Sequence, residues 1–321
     1  MKSCLVLGAT GFIGGHIARE AAARGWQVRA LRRDPQSVGA IGDVHVEWVT
    51  GDLSDRAALM TAMRGCEVVF HSAGAYPHGV RQIDRDVQCA LAQMRNVIAT
   101  ARDTQPDRLI YTSSFTTIGS PGEPQRLADE RDRYRPGTAG DAYYEAKWAM
   151  EVEALNSGLP IVVLNPAAVF GPGDVHLAVS EIVIMAAQGR VPFYFDATFG
   201  AIDVRDVAEA QLSAVECGHI GERYILSNHN MTLRDGLALI ARASGRQPPA
   251  IHVGPRLLNA IIVIGKYLPG GRSGILGHLR TMRFWQPLNN HKAVAELGLP
   301  WRPMDDTLRD ALAWFKANGY L

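Results

Sequence analysis

Gly8-Ala9-Thr10-Gly11-Phe12-Ile13-Gly14 follows the apolar run Ser3-Cys4-Leu5-Val6-Leu7 near the start of the chain. That run has the length and the Val/Leu content of a strand that a parallel sheet buries on both faces. The glycines recur every third residue and lead into a segment that reads as a helix from about Gly11 to Arg24. Gly8 permits a tight turn, Gly11 lets a pyrophosphate approach the main chain, and Gly14 lets the helix lie close on the strand. The helix start offers unpaired N–H groups and a partial positive charge to an anion. Glycine also marks ordinary turns. The position between a strand and a helix is what makes this stretch a dinucleotide site, with Gly8, Thr10, Gly11, Phe12, Ile13 and Gly14 as its expected cofactor contacts.

Working outward, Gln27–Arg32 reads as a second strand that ends in Arg32-Arg33-Asp34. An NAD site places a carboxylate roughly twenty residues after the glycine turn for the ribose hydroxyl, whereas arginine there accommodates a 2′-phosphate. Arg32 and Arg33 precede Asp34, which favours NADP, with NAD the second choice. His45–Val49 alternates like a strand and leads to Asp52 and Leu53. Asp52 is placed to accept a hydrogen bond from an adenine amino group, with helix capping as the competing role of nearby Ser54 and Asp55. Val68–His71 reads as a buried strand, followed by the small residues Ser72, Ala73, Gly74 and Ala75, against which phosphates and ribose can lie. His71 reads as a packed strand-end residue. A helix over about 83–104 and a strand from Arg108 to Ser114 continue an alternation that predicts an α/β fold, a Rossmann-type doubly wound parallel sheet.

The composition agrees with this and excludes several other classes. The chain has 321 residues, 47% hydrophobic and 20% charged, enough to bury a large core. Its 33 basic and 32 acidic residues leave a formal charge of +1, with no footprint for nucleic acid. Cys4, Cys66, Cys89 and Cys217 lack metal-ligand spacing, so no metal site is expected and reduced thiols in a cytoplasm are. No apolar run reaches the roughly 18 residues that would span a bilayer. The expected partner is a small-molecule substrate, with a homodimer left open.

Gly119–Gly140 is rich in Gly, Pro, Arg and Asp without periodicity, and reads as an active-site loop that orders on substrate binding. Tyr143-Tyr144-Glu145-Ala146-Lys147 begins a helix that puts Tyr143 and Lys147 on one face, one turn apart. Ile161–Asn165 is a further buried strand, ending at Pro166. Residues 1–170 are expected to form the nucleotide-binding core. Residues 171–321 are expected to form mainly a small C-terminal substrate-binding lobe, with about 200–227 returning to the core. Leu257–Ile264 reads as a buried helix of that lobe, a substrate wall or a subunit contact.

Together, the glycine trio, Asp52, the Thr112-Ser113-Ser114 strand end and Tyr143-x-x-x-Lys147 resemble the extended short-chain dehydrogenase/reductase superfamily. The resemblance covers about residues 1–230, including Pro166…Gly171-Pro172-Gly173 and Asp203-Val204-Arg205-Asp206-Val207. More loosely, the chain is similar to NAD-dependent epimerase/dehydratases and to dihydroflavonol-reductase or hydroxysteroid-dehydrogenase-like members. The resemblance implies a catalytic set of Ser114, Tyr143 and Lys147, and further cofactor contacts at Ser113, Tyr143, Lys147, Asn165, Pro166 and Val169. The chemistry supports it: hydride exchange at a carbonyl carbon needs a proton moved at the oxygen. A phenol does this near neutral pH only beside a cation that stabilises its anion. A serine hydroxyl can polarise the same oxygen. Two departures stand out. Ala90-Leu91-Ala92-Gln93-Met94 replaces the usual Asn-Val-x-Gly-Thr, with Asp86 one turn earlier, and Asn165 stands where sugar-nucleotide epimerases carry Arg. A carbonyl oxidoreductase is the first expectation. A nucleotide-sugar epimerase/dehydratase is the alternative, and a non-catalytic NADP sensor a third.

Overall fold

The computed structural model describes residues 2–74, 82–123, 125–175, 180–265 and 281–321. The first six strands are β1 (Ser3–Leu7), β2 (Gln27–Arg32), β3 (Glu47–Thr50), β4 (Val68–His71), β5 (Arg108–Thr112) and β6 (Ile161–Pro166). They are followed by β7 (Ala168–Phe170), β8 (Phe193–Tyr194), β9 (Thr198–Asp203), β10 (Arg223–Leu226), β11 (His229–Thr232) and β12 (Ile251–His252). Seven of them form one parallel sheet in the order β10-β6-β5-β4-β1-β2-β3. Leu7 pairs with His71 on one side of β1 and with Leu31 on the other. The order therefore reverses between β1 and β4, and the crevice beyond their carboxyl ends is where such sheets bind ligands.

Near-continuous apolar runs make the central strands, because helices cover both faces of the sheet. On one face α1 (Phe12–Ala23) and the later helix Val204–Cys217 pack over Val6, Phe70, Ile110 and Tyr224. On the other, α2 (Arg56–Met63), α3 (Ile83–Thr104) and α4 (Ala142–Leu155) pack over Leu5, Val69, Tyr111 and Val163. Each such side chain removed from water stabilises the fold by about 1.5–3 kcal/mol before entropy is counted. Ala90 and Met94, at the positions of the departure noted above, are fully buried in this second cluster beside Ala146 and Met150. Apolar packing of α3 on α4 fills the place a polar pair would have taken.

A third apolar cluster draws only on residues beyond 167. Its helices are α5 (Ser180–Ala187), α7 (Leu233–Ala243), α8 (Pro255–Gly265) and α10 (Met304–Ala317), whereas α6 (the Val204–Cys217 helix) and α9 (His291–Leu297) pack in the first cluster. Small sheets β11-β9-β7 and β12-β8 lie beside it. Two expectations change here. The apolar 257–264 stretch is helical, and among its described side chains Leu258 is buried, at 8% exposure, while Leu257 and Val263 stand 57% and 53% exposed. The 119–140 segment is tied down rather than loose: Ile118 bridges to Arg133, and Tyr134 N–H donates to Thr117 O at 3.0 Å. Arg126 pairs with both Asp129 and Asp132. Ala75 lies outside the described residues.

Candidate active site

The glycine turn has the geometry its spacing predicts. Gly8 adopts φ +94°, and a Cβ there would stand 2.8 Å from Ala73 N, the main chain leaving β4. A Cβ on Gly14 would run into the Gly8 carbonyl. Gly11 forms the N-cap of α1 without a side-chain cap, unlike Asp55, Asp141 and Asp203, whose carboxylates cap α2, α4 and α6. The first N–H groups of α1 are thus left for an anion. A dinucleotide pyrophosphate fits here: the turn has the room, and the donors are not otherwise spent.

The remaining expected contacts line the carboxyl ends of adjacent strands. Arg32 ends β2, half-buried, with its guanidinium 4.9 Å from the Trp48 ring centroid and Nη1 donating to Ser37 O at 3.4 Å. Arg33 is exposed. Asp34 accepts Gln36 N–H at 2.9 Å and so serves its own turn. Asp52 does likewise, accepting Ser54 N–H at 2.6 Å, with Leu53 buried beside it. Ser72, Ala73 and Gly74 follow β4, and Ser72 Oγ lies 2.5 Å from Thr112 Oγ1, which also accepts Gln211 Nε2 at 2.7 Å. Asn165 and Pro166 close β6, and Val169 lies in β7. The Asn165 side chain is fully buried, its Nδ2 donating to Glu151 Oε2 at 2.7 Å.

Helix α4 carries Tyr143 and Lys147 one turn apart, as their spacing predicts, and Asp141 fixes its start by accepting Tyr143 N–H at 3.0 Å. Lys147 Nζ donates to Thr112 O at 3.1 Å and lies 6.0 Å from the Tyr143 ring centroid and 5.6 Å from that of Tyr111. Burial lowers its ammonium to a pKa of about 8, while the Glu151 carboxylate opposes the shift. His71 packs at 5.3 Å on Tyr111, fully buried. Burial first, and then the Lys147 charge, push it down to about 3, so it is neutral. Ser114 follows β5 and caps a short 3-10 turn, its Oγ accepting Thr116 N–H at 3.2 Å. Ser113 Oγ points instead to Glu151 Oε2 at 2.5 Å.

Within the third cluster lies a cavity of about 230 Å³. Phe170, Phe195, Phe199, Met231, Leu237 and Trp285 form much of its wall, and Glu181 and Arg190 are its charged residues among those described. Trp285 joins the two regions, packing edge-on at 5.6 Å against both Phe115, next to Ser114, and Phe199. Phe284 packs on Tyr144 at 6.3 Å. Sequence reasoning missed this wall because Met282, Phe284 and Trp285 carry no local pattern that ties them to a strand end some 170 residues earlier.

The sequence profile of the NAD-dependent epimerase/dehydratase family matches residues 4–226. The chain belongs to that family. It is an NAD(P)-dependent oxidoreductase of the extended short-chain dehydrogenase/reductase type. Over its full length this family member is 34% identical to a protein of Synechocystis sp. named as a candidate dihydroflavonol 4-reductase, of which 97% is covered. It is 30% identical to sterol demethylase protein B of Methylococcus capsulatus, with 99% of each chain covered. The solved structure of PA4631, a nucleoside-diphosphate-sugar epimerase from Pseudomonas aeruginosa, superposes with a TM-score of 0.85 at 27% identity, covering 100% of this chain and 99% of that one. Among the described residues no helix is long and apolar enough to cross a membrane.

Proposed function

We propose that the protein is an NADP-dependent oxidoreductase that reduces a carbonyl in an apolar substrate or oxidises the matching alcohol. The observation that carries this is the approach of Tyr143 and Lys147 on α4 to the end of β5 that presents Ser114, with Trp285 of the apolar cavity packed on Phe115 next to Ser114. Bound at the glycine turn and the strand ends, NADP supplies or accepts the hydride. In reduction the Tyr143 hydroxyl donates its proton to the carbonyl oxygen, and the Lys147 ammonium stabilises the phenolate left behind. The Ser114 hydroxyl donates a hydrogen bond to the same oxygen as charge develops on it. Arg32 and Arg33 favour the 2′-phosphate, since Asp34 is committed to its own turn.

The cavity chemistry supports an apolar substrate. A nucleotide sugar brings a diphosphate that calls for several donors and cations, whereas this wall is nearly all aromatic and aliphatic. The relatives named for flavonoid and sterol chemistry point the same way. The likeness to PA4631 favours the second reading, an epimerase that keeps its NAD and returns the hydride within one turnover.

Fluorescence titration of the nucleotide-stripped protein with NADPH and NADH separates the two. NADPH preference that disappears in an Arg32→Ala/Arg33→Ala double variant, together with reduction of aryl or alicyclic ketones that Tyr143→Phe abolishes, supports the oxidoreductase. Preference for NADH, or nucleotide that leaves only on unfolding, would overturn it in favour of the epimerase.

A further inference from the structure

Helix α4 places a third functional residue on the face of Tyr143 and Lys147. Glu151 stands one turn beyond Lys147, fully buried. Its Oε1 pairs with Arg223 Nε at 2.7 Å, and the Arg223 side chain is only 4% exposed. Its Oε2 accepts Ser113 Oγ at 2.5 Å and Asn165 Nδ2 at 2.7 Å, and lies 2.8 Å from Thr117 Oγ1. The same two partners reach Ser114: Asn165 Nδ2 lies 3.2 Å from its carbonyl oxygen and Thr117 Oγ1 lies 2.8 Å from it. Arg223 closes the ring, donating to Thr117 O at 3.0 Å and to Glu130 O at 2.9 Å. Ser114 O, Thr117 Oγ1 and Glu151 Oε2 all accept around the Asn165 amide nitrogen, so the nitrogen and not the oxygen must face them, which fixes the orientation of the amide.

A buried ion pair is weak evidence for stability, since its desolvation offsets most of the attraction. This one lies beneath the residue that contacts substrate in the proposed function, and joins the strand carrying Ser114 to the helix carrying Tyr143 and Lys147. Resting on that functional reading, we propose that Glu151 is the positioning residue of the site. Clamped by Arg223, its carboxylate locks the Ser113–Thr117 segment to α4 and so sets where the Ser114 hydroxyl stands against the Tyr143 phenol. Glu151 is also the anion that faces Lys147. Among the described residues, the ammonium also faces Tyr143 on the same helix, neutral His71 on β4 and Tyr111 on β5.

Glu151→Gln alone would leave Arg223 buried and unpaired, and could fail to fold. The test therefore uses Glu151→Gln/Arg223→Met, which removes both charges, and Glu151→Asp, which keeps the charge but draws the carboxylate back by one methylene. Both are expected to bind NADPH as the wild type does and to lose kcat on a reduced ketone, on the order of 100-fold for a displacement near 1 Å, with KM little changed. Only the double variant should move the Lys147 titration to lower pH, read by NMR of 13Cε-lysine protein with Lys147→Met assigning the signal. A structural role would lower stability and leave that titration in place. Wild-type kcat in both folded variants, or an unmoved Lys147 midpoint in the double variant, would overturn the proposal. If wild type and Tyr143→Phe alike reduce no ketone, the functional reading fails, and the lysine titration, which needs no substrate, still decides whether Glu151 acts on the site.

Discussion

Filling the cavity should separate stability from substrate binding. Gly236 lines it from the first turn of α7 in an ordinary helical conformation, so a larger residue is not strained by its backbone. A Cβ there would lie 3.1 Å from Phe199 Cζ and 3.4 Å from Met231 Sδ. Met231 can give way by rotation, while Phe199 must shift by a few tenths of an ångström. Gly236→Leu places a hydrocarbon side chain in a cavity of about 230 Å³, where about 150 Å³ suffices for benzene. Burying the leucine contributes about 1.5–3 kcal/mol, and replacing a helical glycine adds about 0.5–1 kcal/mol. Crowding against Phe199 costs about 1–3 kcal/mol. Global stability should therefore change only between about −1 and +3 kcal/mol, measured by urea unfolding. Binding should weaken: the leucine occupies space that the substrate's hydrocarbon would fill. Losing a comparable burial raises KM roughly 10- to 100-fold, with NADPH affinity unchanged. A folded Gly236→Leu protein that keeps the wild-type KM for an apolar ketone would refute the assignment of this cavity to the substrate.

Two further outcomes follow from the same geometry. The Lys147 ammonium, with its pKa lowered to about 8 by burial, is present at neutral pH and lost as pH rises through that value; the ketone-reduction rate should fall over the same range. In Lys147→Met the residual rate should lack that limb, and a limb that persisted would assign it to another group. Gly14→Ala should abolish NADPH binding in fluorescence titration, because its Cβ would strike the Gly8 carbonyl, main chain that cannot swing aside; retained affinity would mean that the turn can open without losing its donors.

What was legible in the chain was local and periodic. The glycine spacing, the apolar runs of β1, β4, β5 and β6, and the four-residue step from Tyr143 to Lys147 each encode geometry within one or two elements, so the sheet and its helices follow from reading along the sequence. Helix α3 runs over Ile83–Thr104, as its pattern predicts. Element edges were less legible: β3 begins at Glu47 rather than His45, and β8 spans only Phe193–Tyr194. Two-residue pairings are set by the partner strand, here Ile251–His252, and leave no period to detect.

The candidate site divides along the same physical line. Glu151 is eight residues from Tyr143, and its place on the face of α4 that carries Tyr143 and Lys147 follows from helical spacing alone. Its role does not, because Arg223, Asn165 and Thr117 reach it from β10, β6 and the turn after β5, brought together only by the strand order β10-β6-β5. Asn165 stands at a strand end, where sequence suggests a cofactor contact, and its amide nitrogen donates to the buried Glu151 carboxylate and the Ser114 carbonyl. A buried charge must be met by partners wherever the chain can supply them. The residues that meet Glu151 are therefore chosen by burial and topology rather than by local pattern, and they join β5 and its turn, β6, α4 and β10 into one rigid support beneath the crevice.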